Sequence, residues 1–247
     1  MKVVFHEDFY TVYTSDPAAA EGRMEAIVAA IDGKVEWVTA EPAEAAWISA
    51  IHTDSHIEAV RRRGLYAISA LAAGGAAGAA AIGLTEPAFA LIRPPGHHAS
   101  AGSSWGFCYF NNMAVALESL RASGKISTAY VLDIDLHYGD GNVNILQSRD
   151  WVTVYNVNAH ERDAYLDEVG RQLADCRVDL IGISAGFDYH RADWGGLLAT
   201  EDYREIGRLV REAADAAGGG CFAILEGGYN HRVLGDNALA LIEGMGS

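Results

Sequence analysis

Seven short runs of strand-forming residues, each followed by a stretch of helical periodicity, constrain this chain more than any other feature. The runs are KVVFH (2–6), VEWV (35–38), AFALI (88–92), AYVLDID (129–135), VTVYNV (152–157), DLIGISA (179–185) and CFAIL (221–225). Several are almost continuously apolar, which suits strands covered on both faces. Helical patterns are expected over 18–31, 43–63, 65–82, 111–123, 164–175, 201–217 and 236–244. Pro42 suits the first turn of the second helix, and Thr200, followed by Glu201 and Asp202, suits the cap of the sixth. Alternating β and α implies a parallel sheet with right-handed crossovers and helices on both faces. The 247 residues carry no low-complexity linker and no internal repeat, so one α/β domain over 1–247 is expected.

The formal charge is −15, from 33 acidic and 18 basic residues. That argues against nucleic acid as a partner, since phosphate binding needs a basic face. It favours cationic small molecules through long-range attraction. Cys108, Cys176 and Cys221 are dispersed and form no CxxC pair, which fits a reducing, cytoplasmic setting. The N-terminus MKVVFHEDFY has no apolar signal core. The most membrane-like stretch, 67–84, is short and rich in Ala and Gly, and reads as a closely packed buried helix rather than a span.

Ligands of parallel sheets bind beyond the carboxyl ends of the strands. The unusual polar residues of this chain all follow strands: His97 and His98 after AFALI, Asp133, Asp135 and His137 at AYVLDIDLH, Asp188 after DLIGISA, and Tyr229 after CFAIL. Alternation places Asp133, Asp135 and His137 on one face of an extended segment. Two carboxylates and an imidazole so close need a cation, a proton or hydrogen-bond partners. Adding Asp188 makes an Asp, His, Asp set from two strand ends, the pattern of an open, catalytic metal site. Zinc suits it, and the two oxygen donors also accept Fe(II), Co(II) or Mn(II). The alternative is a purely structural hydrogen-bond cluster. His190 and Asp193 read as exposed loop residues. Tyr229 follows two glycines, Gly227 and Gly228, which allow close backbone approach to a ligand, and its phenol could donate to an oxyanion.

RPPGHHA (93–99), GFCYFNN (106–112), DIDLHYGDG (133–141), AGFD (185–188) and LEGGYN (225–230) occur in that order. Together they resemble the histone deacetylase and acetylpolyamine amidohydrolase superfamily, built on the arginase/deacetylase fold, from about Arg93 to the end and more loosely before it. The resemblance implies a three-layer α/β enzyme that removes an acetyl or acyl group from an amine. It implies a catalytic zinc on Asp135, His137 and Asp188. His98 would be the general base and then the acid for the leaving amine, backed by Asp140. His97 would be its electrostatic partner, backed by Asp133, and Tyr229 would stabilise the oxyanion. Gly106, Phe107, Gly227 and Gly228 would flank the substrate. Family members often also hold potassium with backbone oxygens around Asp133–His137.

The chain departs from that pattern in places. Tyr138 stands where the family commonly has a second His. Tyr155, Asn156 and Val157 stand where it has Ser-Leu-His, which removes one potassium ligand. The segment between Asp135 and Asp188 is compact and lacks a Gly-rich rim loop. No loop after His52 carries a rim aspartate; Arg61, Arg62 and Arg63 stand there, as a solvated helix end or as part of the rim. Arg23 could match an arginine below the active site. A shallower, more open pocket is expected. Acetylated polyamines or acyl-lysines are the expected substrates. The competing readings are a two-metal ureohydrolase of the same fold, which leaves the His97–His98 pair unexplained, and a non-catalytic metal- or acyl-binding regulator.

Overall fold

The computed structural model describes residues 1–247. All seven expected strands form: β1 (Lys2–Phe5), β2 (Glu36–Thr39), β3 (Ala88–Ala90), β4 (Ala129–Asp133), β5 (Val152–Asn156), β6 (Leu180–Ala185) and β7 (Gly220–Leu225). They make one sheet in the order β2-β1-β3-β7-β6-β4-β5, with every pair parallel. The central strands β3, β4 and β6 are buried at every residue, as their unbroken apolar runs require.

Nine helices cover the sheet: α1 (Arg23–Ile31), α2 (Ala45–Ile51), α3 (Asp54–Arg62), α4 (Tyr66–Gly83), α5 (Asn112–Ala122), α6 (Asp140–Leu146), α7 (Arg162–Ala174), α8 (Thr200–Ala217) and α9 (His231–Met245). Helices α4 and α5 pack together on one side, while α1, α9, α8 and α7 form a contiguous set on the other. Strand β7 touches both α4 and α8, so the architecture has three layers. A single cluster of 71 buried residues, running from Val3 to Met245, ties the layers into one core. The apolar helix α4 belongs to that core, with 67% of its length buried inside the domain.

Several expectations need correction. The pattern over 43–63 is two helices, α2 and α3. The chain turns at Thr53, whose hydroxyl accepts the His56 N–H and whose own N–H reaches the Ala101 carbonyl. Pro42 lies ahead of α2, in a loop tied to α4 by the Ala43 N–H on the Ala70 carbonyl (2.8 Å). Thr200 is the first residue of α8 rather than its cap; Asp202 accepts the Ala199 N–H at 2.7 Å. Helix α6 was not expected, because DGNVN reads as turn. Helix α9 starts five residues early, at His231, with Asn230 accepting the Arg232 N–H.

Strand order decides where the site falls. After β4 the chain leaves toward β5, and after β6 it leaves the opposite way, toward β7. The neighbouring strands β4 and β6 therefore open a crevice between their diverging connections, the usual ligand position of an open parallel sheet. The four strands that carry the polar residues, β3, β7, β6 and β4, are consecutive in the sheet.

Candidate active site

Asp135 and His137 lie just past β4, and Asp188 three residues past β6, on the two sides of this crevice. One ligand atom from each comes within 4.8 Å of the others, and this is the one such His/Cys/Asp/Glu group in the chain. His137 Nδ1 is 3.2 Å from Asp135 Oδ1 and 3.0 Å from Asp188 Oδ2. Leu136 N–H donates to Asp188 Oδ1, and Gly227 N–H donates to Asp135 Oδ2. Asp188 Oδ2 is buried with no well-formed hydrogen bond. The hydrogen bond to Asp135 and the close approach of the Asp188 carboxylate push the His137 pKa up to about 10. Burial, and then the charge of Asp135, push Asp188 up to about 6. The pocket thus demands positive charge, and a proton on His137 meets only part of the demand. Two buried carboxylates, one with an unsatisfied oxygen, and an imidazole fit a divalent cation.

His97 and His98 follow β3 with ring centroids 4.0 Å apart. Their environments differ. His97 Nδ1 lies 3.2 Å from Asp133 Oδ2, inside the protein, where Asn142 Nδ2 and the Asp135 N–H also donate to the Asp133 carboxylate. Burial opposes a charge on His97, but Asp135 and then Asp133 outweigh it and hold its pKa well above the ordinary value. His98 Nδ1 lies 2.8 Å from Asp140 Oδ1, at the first turn of α6. Burial, and then the neighbouring His97 charge, lower the His98 pKa to about 4 despite Asp140.

Tyr229 and Phe107 meet edge to face at 6.0 Å. Phe107 has φ +68°, a left-handed conformation rare outside glycine, and it follows Gly106 at φ +58°. A side chain on Gly106 would run into the His98 ring, so glycine is required there. The Gly227 N–H holds Asp135, and the Gly228 carbonyl accepts Arg23 Nε at 2.9 Å, so the loop after β7 is tied to the carboxylates. Arg23 is fully buried there and also donates to the Glu226 carbonyl.

Contrary to expectation, His190 is not exposed, and Asp193 is only half-exposed. His190 is buried, and Asp193 Oδ2 accepts the N–H groups of Tyr229 (2.8 Å) and Asn230 (2.7 Å), anchoring the tyrosine loop. Glu226 was also missed, although it stands inside the LEGGYN motif. Its carboxylate, raised to about 7 by burial, accepts the Gly96 and His97 N–H groups and joins the β7 loop to the histidine loop. His52 and His56 lie behind that loop: His52 bonds the Ser100 carbonyl and the Asn111 N–H, and His56 the Tyr109 carbonyl. Arg61 and Arg63 stack on Tyr66 (4.1 Å) and Tyr109 (4.7 Å). Asn156 Oδ1, beside β4, accepts the Gly139 N–H at 2.7 Å. Trp105, Tyr138 and Trp194 stand exposed around the site.

The histone deacetylase domain model matches residues 18–175 and 162–245. The chain belongs to the histone deacetylase family. It is 31% identical over 219 residues to a probable deacetylase of Methanothermobacter thermautotrophicus, covering 73% of this chain and 65% of that one. It is 32% identical over 210 residues to an acetylpolyamine amidohydrolase of Burkholderia pseudomallei, covering 69% of this chain and 60% of that one. The chain therefore spans less than two thirds of these relatives. Its fold superposes on the crystal structure of the HDA15 HD domain with a TM-score of 0.86 at 25% identity, covering 98% of this chain and 88% of that one. The family implies a metal cofactor, and the Asp135, His137 and Asp188 group is the place in this deacetylase-family chain that fits one.

Proposed function

We propose that this chain hydrolyses the acyl-amide bond of an acylated amine, an acetylpolyamine or an acyl-lysine side chain, with zinc as the resident ion. The observation that carries the reading is the pair of adjacent imidazoles, each on its own carboxylate, beside a triad that demands a cation. A divalent ion held by Asp135, His137 and Asp188 supplies Lewis acidity at an acyl oxygen and acidifies a water. His98 presents Nε2 as the proton acceptor, because Nδ1 is committed to Asp140. Asp140 steadies the imidazolium so formed, and His98 returns the proton to the leaving amine nitrogen. His97, charged and enclosed, adds a positive field without exchanging that proton. The Tyr229 hydroxyl, whose ionisation burial strongly disfavours, remains a donor for the oxyanion. Phe107 and Tyr229 flank the path of the acyl chain. A net charge of −15 favours small cationic amines among the candidate substrates.

The test is turnover of N-acetylputrescine and a fluorogenic acetyl-lysine amide by the full chain, stripped of metal and reloaded with Zn(II), Fe(II) or Co(II). Turnover should appear with the ion, vanish with chelator and return on reloading. The ratio of kcat/KM for the two substrates ranks polyamine against lysine. No turnover of any acylated amine with any of the ions would overturn the reading.

A further inference from the structure

Trp105 stands 55% exposed at the mouth of the site, yet it is held in place from two directions. One face lies on the His98 ring, with centroids 3.9 Å apart and planes inclined by 30°. Its Nε1–H reaches both oxygens of Asp140, at 2.9 and 3.1 Å. The same Asp140 Oδ1 is bound by His98 Nδ1 at 2.8 Å. Indole, imidazole and carboxylate thus close a three-membered unit. The backbone enforces it, since the left-handed Gly106 that follows presses the chain against the His98 ring.

The two histidines explain why such a unit is needed. The carboxylate behind His97 is 0% exposed and takes three donors from the protein interior. The carboxylate behind His98 is 34% exposed and, apart from His98, its side-chain donor is Trp105. A half-open carboxylate on the first turn of a short helix keeps rotamer freedom and competing water unless something fixes it. We infer that Trp105 is a positioning residue for the general base: its indole roofs His98 and anchors Asp140, so that His98 Nδ1–H keeps donating to Asp140 and Nε2 stays turned toward the substrate. This rests on the reading of His98 as the base. The indole need not touch substrate, and its effect belongs in kcat.

The experiment compares Trp105→Phe, which keeps a ring and loses the N–H, with Trp105→Ala, which loses both, in the metal-loaded full chain. Trp37→Phe is the matched control, because Trp37 also donates its indole N–H to an aspartate, Asp32, at an exposed site. Trp105→Ala should lower kcat by about ten- to a hundredfold with KM changed by no more than about twofold, as expected for a misplaced catalytic group. Trp105→Phe should fall between it and the unchanged control. A raised KM with unchanged kcat would make Trp105 a substrate wall and overturn the inference. A second arm needs no turnover: the indole N–H resonance missing from Trp105→Phe should shift in Asp140→Asn. If that resonance does not respond to Asp140→Asn, the anchor does not exist and the inference fails. A wild type that shows the anchor but hydrolyses no acylated amine would instead sink the proposed function, and the base-positioning role with it.

Discussion

Replacing Gly227 with alanine should cripple metal binding while the fold survives. A Cβ at that position would lie 2.5 Å from Asp135 Oδ2 and 2.7 Å from Asp188 Oδ2. Both contacts are about 0.7–0.9 Å closer than ordinary van der Waals separation. Neither carboxylate can step aside, since Asp188 is fully buried, Asp135 nearly so, and Asp135 Oδ2 is held by the Gly227 N–H at 2.9 Å. Metal sites tolerate distance errors of only about 0.2 Å. Removing a group that merely orients a ligand costs about 10–100-fold in affinity. Crowding two ligands at once should reach at least the top of that range, about 100-fold or roughly 3 kcal/mol. Overpacking should lower the stability of the metal-free protein by about 1–3 kcal/mol, several degrees in Tm for a chain of this size. Competition with a chromophoric chelator reads the zinc affinity, and melting of the ion-free protein reads the packing cost separately. Wild-type zinc affinity in a folded Gly227→Ala variant would refute the argument, because an ion between Asp135 and Asp188 could not ignore that methyl group.

Three further outcomes follow from the same geometry. His98→Ala should lose about 10²–10⁴ in kcat while keeping its metal, and His97→Ala should lose less; steady-state kinetics with metal analysis checks both, and reversed losses would exchange their roles. Tyr229→Phe should lower kcat by about 10²–10³ and leave the substrate dissociation constant nearly unchanged, whereas unchanged turnover would reduce Tyr229 to a turn residue. His52, lowered to about 4 by burial and then by His56, must stay neutral at Nε2 to accept the Asn111 N–H. Its contribution is therefore present above about pH 6.5 and is lost as pH falls through about 4, up to about 3 kcal/mol. Denaturant titrations of wild type and His52→Gln from pH 7 to 4 should converge on the acid side, and parallel curves would contradict the assignment.

Much of the architecture was legible in the chain. Unbroken apolar runs such as LIGISA and AYVLD have no solvent face to offer, so they had to become covered parallel strands. Parallel strands deliver their functional residues at their carboxyl ends, so Asp135, His137, Asp188 and the two histidines could be named from position and chemistry. The pattern failed where a distant group claims a backbone N–H or carbonyl. The break at Thr53 follows from Ala101, and it sets His52 against Ser100 and Asn111. Asp193 looked like loop surface until the tyrosine loop folded onto it. Glu226 sat in a recognised motif, but its task lies on Gly96 and His97, 130 and 129 positions away. Nothing in the local sequence marks Trp105, since its partner Asp140 comes under its N–H only through α6. Periodicity and composition report which face of an element is buried, because burial acts on each residue through its own neighbours along the chain. Which buried polar group satisfies which other one depends on strand order and loop closure, and only the folded chain decides those.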